Sequence, residues 1–356
     1  MKSTSEHPLR VVQWTTGNIA RQAIKAVVER PNLELVGVFA YSADKVGKDA
    51  SELAGLDAPT GVTATDDIAA LIALKPDCVL YMPLHPDVDH LVQLLEGGVN
   101  VLSTASFVTG RAYGEEARAR LQKAAEAGGV SLFGGGINPG YADYVTALLS
   151  GPCREVNYVK VMESFNIGTW AGDANQDELG WGREAGSPGH ADDIVKATAP
   201  FGDAVEAMAE LFGVEVDNIR CDVEFAHALS DVDWIPNRSI KKGTVAGIEA
   251  RWIGSSGGTD VLEADVRWTV APDIEPAWEI AMAYQIEVQG YPQVNARVEV
   301  LPRDMESMSL EELMATGSVI TAMPIVNAIP AVVGARPGIV TYKDLSPQTS
   351  RFVVKK

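Results

Sequence analysis

The chain has 356 residues, 46% of them hydrophobic and 7% aromatic, which is enough for more than one core and above the usual size of a single domain. Its 48 acidic and 29 basic side chains give a formal net charge of −19, which argues against nucleic acid, whose phosphates it would repel, and against a polybasic membrane contact. Three scattered cysteines, no apolar leader at the N-terminus and no run of about 18 uninterrupted apolar residues lead us to expect a cytoplasmic protein without a metal site.

The first predicted unit is "LRVVQWTTGNIARQAIKAV" (Leu9 to Val27). Arg10 to Trp14 is β-branched and extended, and Ile19, Ala20, Ala23, Ile24 and Val27 recur at helical spacing, so the segment predicts strand, tight turn and helix. A dinucleotide-binding turn places glycines for the bend, for backbone approach to a pyrophosphate and for helix packing. Here those places hold Thr15, Gly17 and Ala20. Gly17 keeps the position where a side chain would meet phosphate, and the helix from Asn18 would turn its free N–H groups toward an anion. A strand-turn-helix unit that binds nothing has the same local pattern.

Alternation continues to about residue 143. "NLELVGVFAYS" (32–42), "PDCVLYMPL" (76–84), "VNVLSTAS" (99–106) and "VSLFGGG" (130–136) read as strands, and "DDIAALIAL", "DVDHLVQLLEGG" and "EEARARLQKAAEAGG" as helices. This predicts an α/β fold with a Rossmann-type, doubly wound parallel sheet whose ligands lie beyond the carboxyl ends of the strands. Residues 144–315 then carry long alternating stretches, such as "REVNYVKVMESFNIG" and "DVLEADVRWTV", that predict a second, α+β domain with a largely antiparallel sheet. In the closing segment, 316–356, an apolar helix within "LEELMATGSVITAMPIVNAIPAVVGA" is expected to pack across both domains. "GIVTYKDL" is expected to return as a strand to the first sheet.

Four strand ends and one loop concentrate the chemistry. About 20 residues past the glycine turn, Tyr41 and Ser42 stand where an NAD-binding protein has an acid, with Lys45 and Lys48 following. A hydroxyl with a cation suits the 2′-phosphate of NADP(H), while Asp44 would serve NAD(H). Met82, Pro83 and Leu84 stand where backbone would lie beside a nicotinamide ribose, and His85 is either an acid–base group or a cap for the next helix. The three glycines of "LFGGGINPGYAD" imply that something approaches the backbone closely, whereas Asn138 and Pro139 suit helix capping. In the second domain Glu163, facing either solvent or cleft, and Asn166 and Trp170 are candidate substrate groups. The glycine-rich loop 180–193 is a candidate lid or dimer contact.

Taken together, "VVQWTTGNIARQAIKAV", "YSADKVGKDASELAG", "GGGINPGYADYV" and "AMPIVNAIPAVVGARPGIVTY" resemble the dihydrodipicolinate reductase-like oxidoreductases. The likeness is greatest to the branch with the 2,4-diaminopentanoate dehydrogenases and native amine dehydrogenases. It covers Leu9 to about Asp143 and about Thr316 to Tyr342, with the middle domain similar only in layout. The resemblance implies that Thr16, Gly17, Asn18 and Ile19 hold the pyrophosphate, and that Ser42 and Lys45 hold the adenosine phosphate. Met82, Pro83, Leu84, Ser103, Thr104 and Asn138 would surround the nicotinamide, and Asn327 and Pro330 would line the cleft. It also implies a homodimer.

Two departures bear on the chemistry. True dihydrodipicolinate reductases carry an adjacent His pair, and no two of the five histidines here are adjacent. The amine dehydrogenases place a glutamate just after the strand that here reads "VLSTASFVTG", where this chain has Ser103, Thr104, Ala105 and Ser106 and no carboxylate before Glu115. Ser106, Glu163 and His85 are therefore the candidate catalytic residues. The expectation is an enzyme dependent on NADP(H), with NAD(H) as the alternative cofactor, acting on a C=N or C=O bond of a small molecule in the interdomain cleft. The alternatives are a catalytically silent cofactor-binding protein and a ketone or aldehyde reductase without nitrogen chemistry.

Overall fold

The computed structural model describes residues 7–169, 174–235, 238–302 and 309–351. The chain divides into two compact units, Met1–Tyr141 with Ser309–Lys356, and Ala142–Met308.

In the first unit the elements are β1 (Leu9–Trp14), α1 (Asn18–Val28), β2 (Leu33–Phe39), α2 (Ala50–Ala54), β3 (Ala64–Thr65), α3 (Ile68–Ala73), β4 (Cys78–Tyr81), α4 (Val88–Glu96), β5 (Asn100–Ser103), α5 (Glu115–Gly128) and β6 (Ser131–Gly134). α6 (Tyr141–Leu149) opens at the boundary. In the second unit follow β7 (Glu155–Asn166), α7 (His190–Ala197), α8 (Pro200–Phe212), β8 (Asn218–Ala228), β9 (Val245–Ser256), β10 (Thr259–Thr269), β11 (Ile274–Glu275), β12 (Ala283–Tyr291) and β13 (Val294–Val298). The chain returns to the first unit as α9 (Leu310–Val333) and β14 (Gly338–Val340).

The first sheet runs β14-β6-β5-β4-β1-β2-β3, with every pair parallel. Sequence order reverses between β1 and β4, and at such a reversal the connections leave to opposite faces and open a crevice beyond the carboxyl ends. Val12, Trp14, Val79, Tyr81, Val101 and Leu132 are buried strand residues of the core, and Leu91, Leu94, Leu95 and Leu121 pack on them from α4 and α5. β14 pairs with the far edge at β6, as the sequence predicts. The short β3 was not legible, because two residues give no alternation.

The second sheet runs β11-β8-β9-β10-β7-β12-β13. All its pairs are antiparallel except β10 with β7. This gives the expected α/β class with a second, largely antiparallel α+β unit. α8 packs on β8, β9 and β10, where Gly202 and Gly254 make room for Trp252 and Val205.

α9 packs on α1 and on β4, β5 and β6 of the first unit, and Ala322, Ile325, Val326, Ala328, Ile329 and Val332 are fully buried there. Its stretch Ala315–Val333 is long and apolar enough to cross a membrane by length and composition. That apolarity serves a core helix with neighbours on more than one face.

Candidate active site

The site is built from backbone first. Thr15 follows β1 with φ of +76°, the left-handed conformation that normally calls for glycine. Two bonds hold it there: its N–H donates to Phe39 O at 3.0 Å, and its hydroxyl donates to Met82 O at 3.0 Å. The glycine missing from the fingerprint is thus replaced by a threonine tied to both neighbouring strands. Gly17 shows the reverse. Its backbone is extended (φ −73°, ψ −177°), a conformation open to any residue, and a Cβ placed on it would meet no protein atom within 4 Å. Neither strain nor packing explains this glycine, so the requirement lies outside the chain.

Gly17 is also the N-cap of α1. No side chain caps the helix and its first turn holds no acid. The first N–H groups of a helix lack intrahelical acceptors, and here they open into the crevice with the positive end of the helix dipole behind them. Thr16 beside them is buried.

At the end of β2, Tyr41 is 54% exposed, and its hydroxyl accepts a bond from Trp14 Nε1 at 3.1 Å. The Ser42 hydroxyl donates to Asp44 Oδ1. The serine's proton is engaged by a carboxylate two residues on, an interaction common in Asp-rich turns. Lys48 pairs with Glu52 at 3.3 Å, and Lys45 is left beside Asp44 at this strand end.

At the end of β4, Met82 and Pro83 are buried and Leu84 and His85 exposed. His85 does not cap α4; Asp87 does, accepting from the N–H groups of Asp89 and His90. At the end of β5, Ser103 is fully buried, and its Oγ accepts from Ala105 N at 3.0 Å. Thr104 N donates to Tyr81 O at 3.1 Å, and Ser106, exposed with φ of +51°, crowns the bend. Parallel strands bring all of these residues to one edge of the sheet.

The triple glycine is corrected. A Cβ on Gly134 would lie 2.3 Å from Phe107 O, and one on Gly140 would lie 3.1 Å from the Gly135 Cα. Gly136 N donates to Pro139 O, and Tyr141 N to Gly136 O. The close approach inferred there is therefore the chain against itself, a compact loop around the cis Asn138–Pro139 bond. α6 begins at Tyr141, so Asn138 and Pro139 belong to this loop rather than to a helix cap.

Asn327 Oδ1 accepts from Arg30 at 2.6 Å, just after α1 ends and before β2 begins, at the amino edge of the sheet. Pro330, one turn further along α9, is exposed. The α9 residue at the carboxyl edge is Thr321, next to Gly136. A helix pattern gives the buried face but not the direction in which the helix crosses a sheet, so the choice between Thr321 and Asn327 was out of reach.

In the second unit Glu163 is half-buried on β7, on the face that carries α8, and its Oε1 accepts from Trp268 Nε1 at 3.0 Å. Asn166 ends β7, and its Oδ1 accepts from Gly168 N at 3.0 Å. Trp170 lies outside the described residues. The glycine-rich loop is tied to β9, since Gly182 N donates to Val245 O and Val245 N to Arg183 O.

The opposite face of this sheet holds a charge cluster that the sequence did not disclose. Lys160 lies 2.7 Å from both Glu263 and Asp265, and Tyr158 donates to Glu263 at 2.5 Å. Asp265 is fully buried, and burial pushes its carboxyl up to about 7 against the pull of Lys160. Among the described residues no group of three or more His, Cys, Asp or Glu is arranged to hold a metal ion.

Residues 141–353 match the family described as the 2,4-diaminopentanoate dehydrogenase C-terminal domain. The chain belongs to that family. The match covers the second unit, whose sequence resemblance was in layout only, together with the closing segment. Two relatives are similar to the chain over most of its length. An amine dehydrogenase of Streptomyces virginiae is 28% identical over 95% of this chain and 96% of its own. The 2,4-diaminopentanoate dehydrogenase of Acetoanaerobium sticklandii is 24% identical over 72% of this chain and 69% of its own. The solved structure of an amine dehydrogenase from Mycobacterium smegmatis superposes with a TM-score of 0.79 at 21% identity, covering 98% of this chain and 99% of that one, so the two share a fold.

Proposed function

We propose that this chain is a nicotinamide-dinucleotide-dependent oxidoreductase acting on a C=N or C=O bond of a small molecule, with C=N favoured. The observation that carries the reading is Gly17: a glycine with no conformational or packing reason, capping an uncovered helix N-terminus at the switch point of a doubly wound sheet. Two relatives that the chain resembles over most of its length are named as dehydrogenases of amines, which supports the nitrogen chemistry.

The residues present fit such a cofactor. Thr16, Gly17, Asn18 and Ile19 would hold the pyrophosphate through backbone N–H groups. Met82, Pro83, Leu84, Ser103 and Thr104 would lie along the ribose and nicotinamide. When bound, the cofactor supplies or accepts the hydride. The chain's own part is to grip an anion despite its net charge of −19, to shape the pocket and to handle the proton. NADP(H) is the proposed preference through Lys45, and Asp44 is the group that opposes it. Ser106, exposed at the β5 bend, and Glu163 are the proposed proton-handling groups, with His85 a further exposed candidate. We also place a homodimer in this proposal; light scattering on the purified chain checks it.

The test is titration with NADPH and NADH followed by a panel of carbonyl compounds with and without ammonium. Binding of either cofactor and ammonium-dependent oxidation of the reduced form are expected. Binding without turnover of any panel member would indicate a silent cofactor-binding protein, and turnover indifferent to ammonium a carbonyl reductase. Absence of all binding overturns the reading.

A further inference from the structure

Among the described residues, four that are not glycine have a positive φ: Thr15, Lys75, Ser106 and Met282. The left-handed region crowds a Cβ against the backbone, so each of them asks for a reason. Three have one inside the chain. The Thr15 hydroxyl donates to Met82 O at 3.0 Å, and the Met282 sulfur accepts from Asn166 N at 3.3 Å. Lys75 follows the end of α3, where helices commonly finish on a left-handed residue. Ser106 is different. Its φ is +51°, its side chain is exposed, and its hydroxyl meets no hydrogen-bond partner among the described residues. Glycine would take this conformation without strain, yet the chain keeps a hydroxyl here.

The conformation is held from several sides. Both ends of the Ala105–Ser106 peptide group are bonded: its oxygen accepts from the Tyr113 hydroxyl, and its N–H donates to Thr104 O at 3.0 Å. Ala105 N donates to the buried Ser103 Oγ at 3.0 Å. On the other side Phe107 is buried, with its carbonyl against Gly134 and its ring 5.2 Å from that of Tyr113 at 77°. A strained residue fixed by so many contacts marks a position where orientation matters. Ser106 is thus the counterpart of Gly17. One position lacks a side chain that the chain has room for, the other carries a side chain that the backbone resists, and in both the requirement lies outside the chain.

The two positions share one edge of the sheet. In the order β5-β4-β1-β2, Ser106 after β5 lies two strands from Gly17, about 10 Å at the usual strand spacing, and Tyr41 to Lys45 after β2 lie on the other side. A dinucleotide whose pyrophosphate rests on Gly17, with its adenosine toward β2, has its nicotinamide toward β5. That ring carries a carboxamide, whose oxygen accepts and whose nitrogen donates, and a serine hydroxyl can answer either.

We propose that the Ser106 hydroxyl hydrogen-bonds the carboxamide of the nicotinamide ring, and that Tyr113 is its positioning residue, holding the 105–106 peptide group in the orientation that aims it. This rests on the oxidoreductase reading and deepens it, because it gives Ser106 a binding role toward the cofactor and brings Tyr113 into the site.

The experiment measures binding of NADPH, NADH, ADP-ribose and the 2′-phosphate of ADP-ribose by isothermal titration; the last two lack only the nicotinamide ring. The proteins are the parent chain, Ser106→Ala, Ser106→Gly, Tyr113→Phe and the double variant Ser106→Ala with Tyr113→Phe. Both Ser106 variants are expected to weaken the cofactor by about three- to tenfold and to leave the fragments unchanged. Ser106→Gly is expected to melt at or above the parent temperature, because its strain is gone. Tyr113→Phe keeps the ring beside Phe107; it is expected to reproduce part of the loss and to add nothing once Ser106 is alanine. Unchanged cofactor affinity in the Ser106 variants, an equal loss for the fragments, or a Ser106→Gly chain that melts well below the parent overturns the proposal. A Tyr113→Phe loss that persists in the Ser106→Ala background overturns the part given to Tyr113. Binding of neither cofactors nor fragments counts against the oxidoreductase reading and removes the proposal with it, whereas cofactor binding indifferent to Ser106 removes the proposal alone.

Discussion

Gly17 and Gly134 both sit at the carboxyl edge of the first sheet, one after β1 and one ending β6, and as sequence both suggest backbone held close to a ligand. The structure separates them. Gly134 has Phe107 O where its Cβ would be, while Gly17 has empty space. A glycine can therefore be required by the chain itself or by something that visits it, and only the surrounding atoms tell which. The same distinction extends to the two units. The first brings backbone groups together at strand ends, and the second brings side chains together through cross-strand register.

Substitutions can sharpen that contrast. Gly17→Val is expected to lower NADPH or NADH affinity by at least about 100-fold with an unchanged melting temperature, since the side chain meets only the ligand's space. Equal affinity by fluorescence titration would end the cofactor reading. Gly134→Ala is expected to do the opposite, costing about 2 kcal/mol of stability in thermal or denaturant unfolding and leaving the cofactor affinity of the folded fraction alone.

Asp265 probes the second unit. Its folded carboxyl titrates near 7, well above the ordinary carboxylate value, so between about pH 4 and 7 the folded state binds the proton that the unfolded state has lost. This group's contribution makes stability fall as pH rises through that window, and above about 7 the destabilisation is complete. Asp265→Asn is expected to flatten that slope and to raise the melting temperature at pH 8, with Lys160 still paired to Glu263. A slope unchanged in the variant would remove Asp265 as its source.

Smaller effects test the cofactor's adenosine end and the helix contact. Lys45→Ala should weaken NADPH by about tenfold and NADH hardly at all. Asp44→Ala should move the preference the other way, toward NADPH. Asn327→Ala should cost about 1 kcal/mol through the lost Arg30 bond and leave both cofactor affinities where they were, as its place at the amino edge requires.

How much of this was legible before folding follows from the range of each interaction. Alternating strands and helices, the turn at Thr15 to Ala20 and the return of β14 are written in local periodicity, and periodicity is a property of neighbours in sequence. The Asp44 carboxylate was visible as a residue, but its bond to Ser42 was not. Whether Glu163 faced solvent or α8 could not be read, because alternation gives two faces without saying which one a helix will cover. The bond between Asn327 and Arg30 was out of reach for a similar reason: a helix's buried stripe does not reveal which end lies over the strand ends.

The sequence by itself determined that a parallel doubly wound sheet opens with a phosphate-type turn and is followed by an antiparallel unit, since hydrophobic period and turn chemistry act over a few residues. Only the tertiary structure decided that Thr15 can replace a glycine, that Gly134 serves packing, and that α9 brings Thr321 rather than Asn327 to the carboxyl edge. It also set the Glu163 carboxylate against the Trp268 indole. Each of these depends on atoms that meet across strands and helices far apart in the chain, where direction, register and exclusion of volume, rather than local preference, set the outcome.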